Sequence, residues 1–229
     1  MIKIVWLLFT SLVFAQTPEF EVASIRLNTS ADSASSAGMS GQGVTIINMT
    51  LRAIILNAYG LRPYQLSGGP GWLDRDHFDI AAKVPKGVKP EEVRKMMQAL
   101  LARRFGLQTH RETRELPVFD LRVAKGGLRL PTADGPNQTS ITRNSISGQM
   151  TIATLADALA RATERPVVNL TEAGGRFRVD LCWAPLDAAG SDSPSLFTSV
   201  QEQLGLRLEA ATGQVEVWFV DRANPPSDN

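Results

Sequence analysis

One cysteine, Cys182, and two histidines, His77 and His110, are all that the chain holds of the side chains most used for metal binding and nucleophilic catalysis. A single thiol forms no intrachain disulfide, so no covalent framework stands in for a core. Two imidazoles restrict any zinc or general-base scheme to two candidates. The sequence holds no Gly-x-Ser-x-Gly elbow, no Ser-x-x-Lys, no His-Glu-x-x-His and no phosphate loop ending in Gly-Lys-Ser or Gly-Lys-Thr. The usual signatures of hydrolases and nucleotide enzymes are therefore missing, and nothing in the residues points to a cofactor. A formal net charge of +1 gives no basic excess of the kind that marks nucleic-acid binding. After the first fifteen residues no apolar run approaches the roughly 20 residues needed to span a bilayer.

The one long apolar run opens the chain. Lys3 precedes Ile4 to Phe14, and Val13 and Ala15 occupy the small-residue positions that a signal peptidase reads. Residues 1–15 are expected to be a cleaved signal peptide, which leaves Gln16 as the mature N-terminus, a secreted or periplasmic location and no stable membrane span. Cys182 would then meet an oxidising compartment. It falls on the polar side of the strand-like FRVDLCW, and an inert, partly covered thiol is expected there.

Apolar periodicity indicates an α+β fold that uses one unit twice. A first strand is expected near FEVASIRL, followed by a Ser/Ala/Gly-rich loop that completes residues 16–42. Unit one, residues 43–125, begins with the β-branched run GVTIINM and switches to helical spacing after Met49-Thr50. Thr50 is placed as an N-cap and Gly60 as a stop. FDIAAKV alternates as a strand does, and Pro90 opens a second helix that ends at Gly106. Residues 107–125 are expected to close the unit as a hairpin.

Residues 126–139 read as a linker. Unit two, residues 140–222, repeats the order: SITRNSISGQM as a weak strand, a helix capped by Thr151, the strand RFRVDLCW, a helix opened by Ser193 and Pro194, and a final hairpin from Leu206. Each unit is thus a β-α-β-α-β-β module, and residues 223–229 form a tail.

Charge is uneven along this plan. Residues 83–129 carry twelve Lys or Arg against five acids, whereas residues 130–229 carry seven against twelve. Docking of one copy on the other and ordinary solvated faces both account for that pattern. The alternating HRETREL reads as a solvated strand with opposite charges paired across a hairpin.

Two clusters are candidates for function. Tyr59, Arg62, Tyr64 and Trp72 lie within fourteen residues among Gly68, Gly69 and Gly71, and aromatic and guanidinium groups contribute most per residue at interfaces. They are the expected contacts for an unknown protein or small ligand of the cell envelope. They equally suit packing between helix and sheet around a tight turn. Asp74, Asp76, His77 and Asp79 form the second cluster. A divalent ion could be held there for metal-assisted hydrolysis, or the acids could serve as turn and cap residues beside Arg75. A structural part in envelope assemblies is a third reading.

FEVASIR, MTLRAIILNAYGL, SGGPGWLDRDHFDIAAKVP, LLARRFGLQTHRETRELPVFDLRVAKGG, RPVV and SLFTSVQEQLGLRLE together resemble a large paralogous family of secreted proteins from acidobacteria such as Solibacter. The likeness covers nearly the whole chain after the leader. It implies no assigned biochemical function. Similar domains fused behind BlaR-type membrane metallopeptidases imply an extracytoplasmic sensing or binding role. Where that family carries Val-Val-Asp, this chain has Val167-Val168-Asn169. The helix after Met-Thr is also similar to small α+β domains of secretins and TonB-dependent receptors, a likeness of architecture alone.

Overall fold

The computed structural model describes residues 19–30, 34–40, 43–184 and 194–226, so the expected signal peptide and Ser193 lie outside the described residues. The fold is α+β, and the chain divides into two compact units. One unit takes the chain through Leu61, then Gly69–Gln108 and the residues from Asp221 onward; the other takes Arg62–Gly68 and Thr109–Val220.

In the first unit, strands β1 (Val22–Asn28), β2 (Ser36–Ser40), β3 (Gly43–Thr50) and β5 (His77–Lys83) form one sheet in the order β1-β5-β3-β2. All three contacts are antiparallel. Alternation places Ile25, Ile46 and Ile80 in register, all buried. Helix α1 (Leu51–Tyr59) follows β3 directly because Thr50 keeps extended backbone while its Oγ1 accepts the Ala53 N–H at 3.3 Å. Its stripe of Leu51, Ile54, Ile55 and Ala58 is buried, and Gly60 ends it in the left-handed conformation. Helix α2 (Pro90–Arg104) starts with proline at its first position and buries Val93, Met96, Met97, Leu100 and Leu101. Gln98 of α2 donates to the Ala58 carbonyl of α1 at 2.8 Å.

The second unit holds two sheets. Strands β7 (Gln138–Ile141), β8 (Ser145–Met150) and β10 (Phe177–Cys182) are antiparallel in the order β10-β8-β7. Helix α3 (Ile152–Thr163) is capped by Thr151, whose Oγ1 accepts from Thr154 N at 3.2 Å. Helix α4 (Leu196–Leu204) is capped by Ser195. Ile152, Leu155, Leu159, Val200 and Leu204 pack with Ile146, Phe177, Val179 and Leu181 as one core. The other sheet combines β4 (Leu66–Gly68), β6 (Gln108–Val123), β9 (Val167–Asn169) and β11 (Leu206–Arg222) in the order β4-β11-β6-β9.

That sheet corrects the two expected hairpins. Residues 108–123 and 206–222 are each one uninterrupted strand, and the two strands pair with each other. Arg122 meets Glu209 at 3.3 Å and Arg111 meets Glu216 at 3.6 Å, so they run in opposite directions. Pro117 constrains φ without demanding a reversal of the chain. Gly213 serves no turn either: a Cβ there would lie 3.1 Å from Val118, so the glycine makes room for the neighbouring strand. Within HRETREL, Arg111 finds its partner on the other long strand, while Glu112 pairs with His110 and Arg114 on its own.

Both short strands join this sheet in parallel, β4 beside β11 and β9 beside β6. The order β-α-β-β-α-β is met at β3 to β6 and again at β8 to β11, and the short strand of each run bonds the long strand of the other.

One segment expected to be loop acquires strand structure from its neighbour. Ser36–Ser40 pairs with β3 although all five residues are exposed, because backbone hydrogen bonds need no apolar side chain. The single weak strand expected over SITRNSISGQM is a hairpin, β7 and β8, turned at residues 142–144. Within residues 126–139, Leu130 is buried in the second unit's core and Thr132 forms a bridge to Phe177.

Candidate functional site

The four aromatic and arginine candidates divide between the two units. Tyr59 and Trp72 belong to the first, Arg62 and Tyr64 to the second. Trp72 is half-buried and meets Phe78 edge to face, centroids 6.3 Å apart, and Phe78 meets Phe105 in the same way at 5.2 Å. Arg62 and Tyr64 share a short 3-10 turn, in which the Arg62 N–H donates to Gln65 Oε1 at 3.1 Å. Burial pushes the Tyr64 phenol above its ordinary value, opposed by Arg62 and reinforced by Asp157 of α3.

The acidic cluster is drawn into the architecture. Asp74 forms a two-point pair with Arg52, with Nη2 to Oδ2 at 3.1 Å. His77 Nδ1 lies 3.0 Å from the Arg75 carbonyl. The backbone N–H of Asp76 donates to the Trp72 carbonyl. Asp79 Oδ1 accepts Asn28 Nδ2 and the Asn48 N–H, each at 2.8 Å, which holds its carboxyl below the ordinary value, the Asn28 bond most of all. Among the described residues no group of three His, Cys, Asp or Glu side chains is placed to hold a metal ion.

Cys182 is exposed, not partly covered. Phe177, Val179 and Leu181 take the core side of β10, which leaves Arg178, Asp180 and Cys182 on the other. Gln203 of α4 brackets the Cys182 backbone, accepting its N–H at 3.1 Å and donating to its carbonyl at 2.9 Å.

A concave site does form, at residues the sequence did not single out. It lies in the second unit, where the chain leaves β6 and passes the end of α4. Ala124, Lys125, Gly126, Gly127 and Arg129 bound it on one side and Gln201, Glu202, Gly205 and Arg207 on the other, around a cavity of about 330 Å³. Local rules explain its shape. Gly205 is in the left-handed conformation as the C-cap of α4, and a Cβ there would fall 2.1 Å from the Gly127 carbonyl oxygen and 2.9 Å from Arg129 N. Only glycine lets the two segments approach so closely. Two backbone bonds fix them, Ala124 N–H to Gly205 O and Arg129 N–H to Leu204 O, both 2.9 Å.

Three cationic side chains and one carboxylate line this cavity. Arg129 Nη1 donates to the Glu202 carbonyl at 2.9 Å and Arg207 Nη1 to Glu209 at 2.7 Å. The Arg207 Nε is buried without a hydrogen-bond partner, and no partner is seen for Lys125 among the described residues. Lys125 is thus left to attract an anion into the cavity beside the two guanidinium groups. The signal in the sequence was faint: Lys125-Gly126-Gly127 closes the basic stretch, but nothing local shows that Arg207 stands beside it.

An α+β chain with a small cation-lined cavity is a description many proteins share, and comparison narrows it. The chain belongs to the family described as Protein of unknown function (DUF3738), which matches residues 52–223. No match was found among curated proteins or among solved structures.

Proposed function

We propose that the protein is a secreted, non-enzymatic binding or sensing module whose ligand sits in the cavity between Lys125-Gly126-Gly127 and the end of α4. The observation that carries this reading is the convergence of Lys125, Arg129 and Arg207 on one concavity. A volume of about 330 Å³ suits a small ligand. The lining offers charge and hydrogen bonds, with Glu202 as its one carboxylate and no side chain of the Ser, Cys or His type. The leader-like residues 1–15 support an extracytoplasmic setting, and the likeness to sensor-fused domains supports a binding role. The shared order of elements supports reading the two runs as copies of one unit.

Titration calorimetry of the purified chain with inorganic phosphate and with acetate tests the cavity. Binding that Lys125→Ala weakens roughly tenfold is expected, the loss of one charge-assisted contact. Binding of neither anion removes the cavity from consideration. Export with the native leader should yield a chain beginning at Gln16, read by N-terminal sequencing.

A second reading keeps Tyr59, Arg62, Tyr64 and Trp72 as partner contacts, supported by the partial exposure of Arg62 and Tyr64 on one turn beside Asp157. Arg62→Ala and Trp72→Ala should then lower partner recovery from the native envelope while thermal melting shows a folded chain. Unchanged recovery counts against those contacts.

A further inference from the structure

We propose that the ligand of this cavity is an amphiphilic anion: one carboxylate or phosphate group held by Lys125, Arg129 and Arg207, with an alkyl or aryl tail lying over Phe197 and Leu208. The inference rests on the reading of the cavity as a ligand site and adds the ligand's class. A second concavity of about 220 Å³ adjoins the first, sharing Gln201, Glu202 and Arg207 with it. Its other walls are Phe197, Thr198 and Leu208. The two together form a trough with Lys125 and Arg129 at one end and Phe197 and Leu208 at the other.

Phe197 is the unusual residue in this trough. It is 45% exposed, although the helix that carries it buries Leu196, Val200 and Leu204 on its other side. Its ring is not loose: it meets Phe119 edge to face with centroids 5.2 Å apart, and the Arg165 guanidinium lies 5.3 Å from the Phe119 ring centre. A positioned, exposed aromatic beside a half-buried Leu208 gives a tail somewhere to leave water. Glu202 faces both concavities and disfavours a second negative charge midway, which confines the ligand's charge to the Lys125 end. Arg207 reaches both ends and marks where head and tail join. A ligand charged at both ends would bring its second charge beside Glu202 at the Phe197 end, and a purely apolar ligand makes no use of Lys125 and Arg129.

Calorimetry on the full chain with inorganic phosphate, with monomeric octyl phosphate below its micelle concentration, and with octanol separates these terms. Octyl phosphate should bind at least about tenfold more tightly than phosphate, since about two buried methylenes suffice for that factor. Octanol should not bind measurably. Phe197→Ser should abolish the gain while leaving phosphate binding unchanged, and Phe197→Leu should restore most of it. Melting curves of both variants establish that each is folded.

Equal affinity for the two phosphates, or a gain that survives Phe197→Ser, overturns the amphiphile while the anion site stands. Failure of both phosphates to bind overturns the site itself. A bilayer headgroup is the alternative source of the same chemistry. Binding to phosphatidic acid vesicles without binding to monomeric octyl phosphate would overturn the free amphiphile.

Discussion

The steps from β3 into α1 and from β8 into α3 begin with the same two residues, Met-Thr, and reach the helix by different backbones. In both, the threonine hydroxyl accepts the N–H three residues on and the next turn buries an apolar stripe. The strands before them differ. β8 pairs with β10 without interruption, from Phe177 opposite Met150 to Cys182 opposite Ser145. β3 carries a bulge against β5: Ile46 is opposite Ile80 but Met49 is opposite Phe78, which leaves one residue extra. Asn48, in the bulge, takes a positive φ of 52°, and its N–H is held by Asp79 from thirty-one residues away. Opposite β8, Arg178 follows Phe177 where Asp79 follows Phe78, so no carboxylate is there to hold a bulge. Caps are local and repeat with the motif. Bulges depend on a partner strand and need not.

The glycines that end the second helices extend the contrast. Gly106 and Gly205 both have positive φ, 55° and 68°. A Cβ at Gly106 would lie 2.9 Å from Asn224 Nδ2, the movable end of a side chain, whereas at Gly205 it would strike backbone at 2.1 Å. Gly205→Ala should therefore be the most damaging single change, by about 3 kcal/mol or more in chemical denaturation. Gly106→Ala should cost about 1–2 kcal/mol, the strain of the conformation alone. Equal losses would show that the close approach at Gly205 relaxes.

Asp79→Ala comes next. It leaves the Asn48 N–H without its acceptor and should cost about 1–2 kcal/mol, while Arg178→Ala, at the place after Phe177, should be near neutral. The acid's contribution is pH-dependent. Because folding lowers the Asp79 value, its stabilisation is complete above the ordinary value of 3.8 and is lost as pH falls through the folded value. The stability difference between the native chain and Asp79→Asn should thus be constant near neutrality and shrink in acid below about pH 4. A difference that stays flat into strong acid would sink the carboxylate's role.

A smaller effect of opposite sign is expected at the end of α3. Helix α1 stops at Gly60, whereas α3 stops at Glu164, which takes the same left-handed conformation with φ 53°. Glu164→Gly should raise stability by about 1 kcal/mol, and Gly60→Ala should lower it by a similar amount, both read from denaturant midpoints. Smallest of all, Lys125→Ala should leave the melting temperature unchanged while weakening anion binding, because the side chain supports ligand and not fold.

Helices were the most legible part of the chain. Thr50, Thr151, Gly60, Gly205 and Pro90 act within one turn of themselves, and their expected places hold. The long strands were not legible. Leu116-Pro117 and Thr212-Gly213 resemble turns in composition, and only the neighbouring strand, with Val118 against Gly213, shows that the chain runs straight. Residues that were candidates in the sequence and residues that line the cavity are different sets. Trp72 and Asp79 proved to be engaged in packing and in a bulge, while Lys125 and Arg207, eighty-two positions apart, met at a cavity.

The sequence by itself determined which segments are helical, where they cap, and which faces they bury, because those preferences are settled by side chains within four residues of one another. Tertiary structure alone decided that β6 pairs with β11, that β4 and β9 join the long strands, and that Arg207 shares one concavity with Lys125 and Arg129. Backbone pairing and converging charge depend on distance in space, and a linear order of residues does not specify it.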